Sequence, residues 1–173
     1  MILLIAGGTH TGKTLLAQRL LERYHYPTLS IDHLKMGLIR SGQTTLTPMD
    51  PDEALTGYLW PIVREMVKTA IENGQNLILE GCYIPHDWAK DFGPEYLPHI
   101  RCRFLILSEG YIRTHWDDIL SHANAIEQRL DDNLDMEALI EDNRRNLELC
   151  INLSCPYLLA EDRYDFSTDA FMA

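Results

Sequence analysis

The segment Gly7-Gly8-Thr9-His10-Thr11-Gly12-Lys13-Thr14 constrains this chain more than any other. It matches G-x-x-x-x-G-K-[ST], the P-loop pattern whose backbone amides grip phosphate groups. Its flanks supply the context that the pattern requires. Ile2-Leu3-Leu4-Ile5-Ala6 is a short apolar run with the character of a buried strand. The stretch from Leu15 to Arg23 reads as a helix with Leu16, Leu20 and Leu21 on one face. Gly7 and Gly12 allow backbone angles and close approaches that a side chain blocks. Successive N–H groups from Gly7 to Thr14 can then converge on an anion at a helix N-terminus. Gly7, Gly8, Thr9, His10, Thr11, Gly12, Lys13 and Thr14 are therefore the candidate nucleotide-binding residues. Lys13 would reach the outer phosphates of ATP, and the Thr14 hydroxyl would ligate Mg²⁺. His10 either contacts phosphate or fills the loop towards solvent.

The 173 residues suffice for one domain with a substantial core. A formal net charge of −11 argues against nucleic acid and anionic membranes as partners, because both need a basic face. A nucleotide remains compatible, since Lys13, a metal ion and a few arginines can meet its charge locally. Cys82, Cys102, Cys150 and Cys155 form no C-x-x-C pair, so reduced thiols in a cytoplasmic protein are expected. The N-terminal apolar run is too short for a signal peptide, and no stretch approaches a membrane span. The scattered histidines suggest no zinc site. Asp131-Asp132-Asn133-Leu134-Asp135 hints at a calcium loop but lacks the glycine and glutamate that such a loop needs. Monomer and homodimer both stay open.

Apolar runs alternate with helical periodicity along the chain. Strands are expected at 2–6, 28–31, 76–80, 102–107 and 157–159. Helices are expected at 12–24, 33–40 and 53–73, the last with a kink or split at Pro61. A loop with a short helix should span 85–98. A charged, largely helical region covers about 111–153 with a break near 130–133, and a polar tail follows the last strand. Apolar strands separated by helices imply a parallel sheet covered on both faces, hence a single α/β domain over residues 1–173.

Two carboxylates fall at predicted strand ends, where an open α/β sheet gathers its ligands. Asp32 follows Leu29-Ser30-Ile31, and Glu80 follows Leu77-Ile78-Leu79. Phosphoryl transfer needs one acid to orient magnesium and can use another to accept the proton of an attacking hydroxyl. Glu80 takes the magnesium role with Thr14. Asp32 takes the acceptor role, with an N-cap on the helix starting at His33 as the alternative. The Trp60, Trp88 and Trp116 indoles are expected to pack, and one of Tyr83 and Trp88 could line an acceptor pocket. Cys82 beside Glu80 is expected to be a packed thiol.

With these segments in view, the chain resembles the small P-loop kinases, the group containing adenylate kinase, shikimate kinase, gluconate kinase and chloramphenicol phosphotransferase. The P-loop at 7–14 carries the resemblance most specifically. The stretch from Leu29 to Gly42 is similar to the family's second strand and acceptor-binding helix. Leu77-Ile78-Leu79-Glu80-Gly81 is similar to its strand-acid-glycine segment. The resemblance implies a three-layer α/β fold with a five-stranded parallel sheet in the order 2-3-1-4-5. It also implies an acceptor-binding region around 33–72 and a helical lid within 111–153. It further implies an ATP- and Mg²⁺-dependent kinase acting on a small hydroxylated metabolite, anionic and phosphorylated ones included. Arg40 would face the acceptor, with Arg64 and Tyr83 as further candidates. A lid arginine would meet the phosphates, with Arg144 the first candidate and Arg129 and Arg145 the others. The segment Cys82-Tyr83-Ile84-Pro85-His86 departs from the adenylate kinase pattern, which places an arginine there. That lowers the weight of a nucleoside monophosphate acceptor, which stays the runner-up. An ATPase or switch without an acceptor is the reading from another class.

Overall fold

All six residues of β1 (Ile2–Gly7) are buried, which places this strand in the middle of a sheet covered on both faces. The computed structural model describes residues 1–122 and 134–173. From β1 the chain runs through α1 (Lys13–Tyr24), β2 (Thr28–Ser30), α2 (Ile31–Arg40), α3 (Asp52–Glu72) and β3 (Leu77–Glu80). It continues through β4 (Ile100–Leu107), α4 (Glu109–Thr114), α5 (Trp116–His122), α6 (Met136–Leu153), β5 (Tyr157–Ala160) and α7 (Thr168–Met172). The five strands pair in parallel in the order β2-β3-β1-β4-β5. All of them therefore end on the same edge.

The period-two alternation of β1 builds the two outer layers. Ile2, Leu4 and Ala6 pack towards Leu55, Leu59, Val63 and Val67 of α3. Leu3 and Ile5 pack towards Leu16, Ala17 and Leu20 of α1. Among the described residues no helix is long and apolar enough to cross a membrane.

Three expectations are corrected. Helix α2 begins at Ile31, not His33, so Asp32 lies inside its first turn and is not its cap. Ile31 is drawn into the helix because its fully buried side chain packs where a side chain on Gly81 would stand. Helix α3 is not split at Pro61 but is one element through it, because a continuous buried stripe from Leu55 to Ala70 offsets the missing hydrogen bond. The C-terminal segment is not a solvated tail, since Phe166 and Phe171 enter the core beside α1.

Helix α6 is fixed to the sheet by a buried amide. The Leu107 N–H donates to Asn143 Oδ1 at 2.9 Å, and Asn143 Nδ2 donates to the Leu139 carbonyl at 2.9 Å. Asn143→Ala should cost about 1–3 kcal/mol, because it leaves the Leu107 amide buried without a partner. A urea-denaturation midpoint unchanged from wild type would refute that role.

His86, in the loop after β3, stacks on Phe104 with ring centroids 4.2 Å apart. Burial holds its imidazole below the usual histidine range, against hydrogen bonding from Asn146. A depressed histidine favours the folded state while neutral, so this contribution is present above the unfolded value and is lost as pH falls through the folded one. His86→Gln should therefore lose less stability than wild type between about pH 7 and pH 5, as read from urea midpoints across that range.

Candidate functional site

The β1–α1 connection takes the form that an anion cradle needs. Gly7, His10 and Gly12 adopt left-handed angles, with φ of 129°, 58° and 81°. A Cβ on Gly7 would collide with the Leu105 carbonyl of β4, and one on Gly12 with the Tyr164 hydroxyl. Both glycines are thus demanded by conformation and by space. Gly12 is the N-cap of α1 without any side-chain cap, so the helix N-terminus opens into the loop. Lys13 is buried and donates from Nζ to the Gly8 carbonyl at 2.5 Å, while Thr11 Oγ1 donates to the same oxygen at 3.0 Å. Thr9 Oγ1 and His10 Nδ1 lie 2.9 Å apart within the loop. Thr14 follows in the first turn of α1.

The neighbouring strand ends bring acids towards this loop. Glu80 is buried at the end of β3, opposite Ile5 in β1 and Ser30 in β2. Asp32 lies in the first turn of α2, which follows β2 directly, where a carboxylate also suits the helix dipole. Its Oδ1 accepts from Lys35 Nζ at 2.5 Å, and the same ammonium donates to the Tyr83 hydroxyl at 2.8 Å. Burial pulls the Lys35 ammonium down, yet its bonds to Asp32 and Tyr83 outweigh that and hold it above the usual lysine range. Burial likewise raises the Tyr83 phenol. Burial also pushes up the Cys82 thiol, between Lys13 and Asp32, so it is not an activated nucleophile.

Asp32 and Tyr83 are therefore joined, through Lys35, while Arg40 and Arg64 stand apart. Arg40 is exposed in the last turn of α2, about 12 Å along the helix from Asp32. Arg64 donates to its neighbour Glu65 at 2.7 Å, roughly 18 Å along α3 from the Asp52 end. Arg144 is also apart, since it pairs with Glu141 at 2.7 Å and Glu148 at 3.0 Å on the exposed side of α6. With Asn143 turned into the sheet, the helical period presents Asp142 and Asn146 to the loop and sends Arg144 outward. Arg145 shares the Asp142 face. Arg129 and Asp131-Asp132-Asn133 lie outside the described residues. Trp88 is buried against Phe92 in the core.

Three residues at the site were not foreseen. Lys35 had a signal, because three residues after Asp32 is the spacing of a helical ion pair once α2 starts at Ile31. Tyr164 had a weaker one in the spacing Tyr164, Phe166, Phe171. Its hydroxyl donates to the Thr11 carbonyl at 3.1 Å and approaches that of Gly12 at 3.4 Å, and burial raises its ionisation well above the usual range. Asp142 had none, since only the packing of α6 brings it to Gly8.

No protein-family model and no curated protein matches the chain. Among solved structures, shikimate kinase from Bacteroides thetaiotaomicron is 14% identical with a TM-score of 0.51, over 99% of this chain and 92% of that one. A chain of the Pnkp1/Rnl/Hen1 RNA repair complex is 14% identical with a TM-score of 0.50, over 85% of this chain and 45% of that one. Deoxyadenosine kinase from M. mycoides is 12% identical with a TM-score of 0.49, over 99% and 95%. At such identities the likeness is one of fold. The all-parallel sheet in the order β2-β3-β1-β4-β5, with its glycine loop after the central strand, is the fold of the small P-loop kinases.

Proposed function

We propose that the protein is an ATP-dependent kinase that transfers the γ-phosphoryl group to a small hydroxylated metabolite. The observation that carries this reading is the opening of an anion cradle and a buried lysine onto the same sheet edge as the Asp32–Lys35–Tyr83 cluster. A donor half and an acceptor half would then face one another across β1, β3 and β2, which are neighbours in the sheet.

Backbone amides of residues 7–14 and the N-terminus of α1 would hold the donor phosphates. The Lys13 ammonium would leave the Gly8 carbonyl to meet them. Asp32 would accept the proton of the acceptor hydroxyl as its oxygen bonds to the γ-phosphorus and the bridging bond to ADP breaks. Lys35 would orient Asp32 for that task, and Tyr83 holds Lys35 through a second hydrogen bond. Thr14 and Glu80 are hard oxygen donors that fit magnesium. Magnesium needs few protein ligands because it keeps several waters. Magnesium, when bound, neutralises phosphate charge.

A panel of hydroxylated acceptors, neutral, anionic and phosphorylated, should contain compounds that raise ADP release far above the rate with ATP alone. Lys13→Ala should abolish that release. Asp32→Asn should lower kcat by about 10²–10⁴, the usual weight of a general base, with little change in nucleotide affinity. ADP release at one background rate with every acceptor, and unaltered by Asp32→Asn, would leave an acceptor-free ATPase instead.

A further inference from the structure

Asp142 of α6 rests on the phosphate loop itself. Its Oδ2 occupies the space that a side chain at position 8 would fill, and Asn146 Nδ2 lies 3.7 Å from the same point. The carboxylate is held there by two devices. Asn143, the adjacent residue, ties α6 to β4 through the Leu107 amide. Asn146 Nδ2 donates to the Asp142 carbonyl at 2.8 Å and to its Oδ1 at 3.2 Å. The charged groups facing it are Lys13 from α1, Asp52 from α3 and Arg145 from its own helix. Lys13, the cation of the loop, is bonded to the Gly8 carbonyl.

A carboxylate beside an anion cradle opposes the ligand that the cradle attracts. The opposition scales with the charge of the incoming group, and it is strong where water is partly excluded. A metal-free nucleoside triphosphate carries more negative charge than its magnesium complex. The same carboxylate therefore penalises the free form more. Nothing in the phosphate grip needs a negative charge at this place, since amides and Lys13 supply the attraction. A side chain that only filled the gap beside Gly8 could be apolar or neutral.

We propose that Asp142 is a specificity-determining residue of the donor site, selecting the metal-complexed nucleoside triphosphate against the metal-free one. The inference rests on the reading of residues 7–14 as a nucleotide site. It concerns which form of the donor enters and is independent of the acceptor.

Calorimetric titration of the full chain with ATP, once with excess Mg²⁺ and once with EDTA, gives the ratio of the two dissociation constants. Asp142→Asn should tighten metal-free ATP by about tenfold or more and the magnesium complex by less, so the preference for the complex shrinks. Asn146→Asp, which adds a carboxylate one turn on, should move the ratio the other way, and it keeps the test open if the first variant does not fold. A ratio unchanged in both variants overturns the proposal. So does a selective loss of the magnesium complex in Asp142→Asn, which would make Asp142 a metal ligand. Wild-type protein that binds ATP under neither condition, as Lys13→Ala should behave, removes the nucleotide reading and this inference with it.

Discussion

The rest of the structure depends on a backbone held where side chains cannot go. Between β1 and α1 the chain turns through left-handed angles at Gly7, His10 and Gly12, which aims its amides inward. Such a loop stores strain unless its surroundings hold it. Here the surroundings do so from several sides. The Leu105 carbonyl of β4 presses on Gly7, Tyr164 closes over Thr11 and Gly12, and α6 lies against Gly8. The central position of β1 fixes the start of the loop, and the packing of Leu16 and Leu20 fixes its end. The sheet order matters for the same reason: β3 on one side of β1 and β4 on the other set both neighbouring strand ends beside the loop.

The proposed acceptor side follows a different physical rule. No special backbone is needed there, only a short helix that begins where a strand ends. Because α2 starts at Ile31, Asp32 and Lys35 share one face and meet as an ion pair, and the loop after β3 brings Tyr83 to the same ammonium. Exposed ion pairs of this spacing contribute little to stability. Lys35 is 12% exposed, so its charge is instead committed to a geometry. An ammonium has three donors, and two are taken by Asp32 and Tyr83. The cluster is thus preorganised while keeping capacity for one further oxygen.

What could be read from the residues was whatever is local. The P-loop pattern, the strand-like runs and the period of α1 and α3 are contiguous signals, and the structure has the strand order that the resemblance implies. Asp32 and Glu80 were placed at strand ends by the apolar runs before them. The misplacements came where tertiary packing decides. Ile31 joins α2 because it packs against Gly81, and the last residues leave solvent because Phe166 and Phe171 find the core beside α1. Arg144 and Asp142 illustrate the same limit within one helix. They are two residues apart, and the resemblance implied the arginine for the phosphates. The buried Asn143 amide sets the rotation of α6, and that rotation gives the loop to the acid.

The charge balance then has a consistent meaning. A protein of net charge −11 binds a polyanion only if attraction is local and directional. Backbone dipoles at the N-terminus of α1 provide this without adding net charge, and their influence fades within about one turn. Lys13 adds one cation, buried where its field is least screened. Against that short-range attraction stands the longer-range repulsion of the acids around the cradle. On the proposed reading, an anion that arrives with part of its charge already neutralised would be opposed less by those acids than a bare one. Selectivity for a shielded phosphate chain follows from the difference in range between these two terms, and Asp142, touching the loop, is where the difference is sharpest.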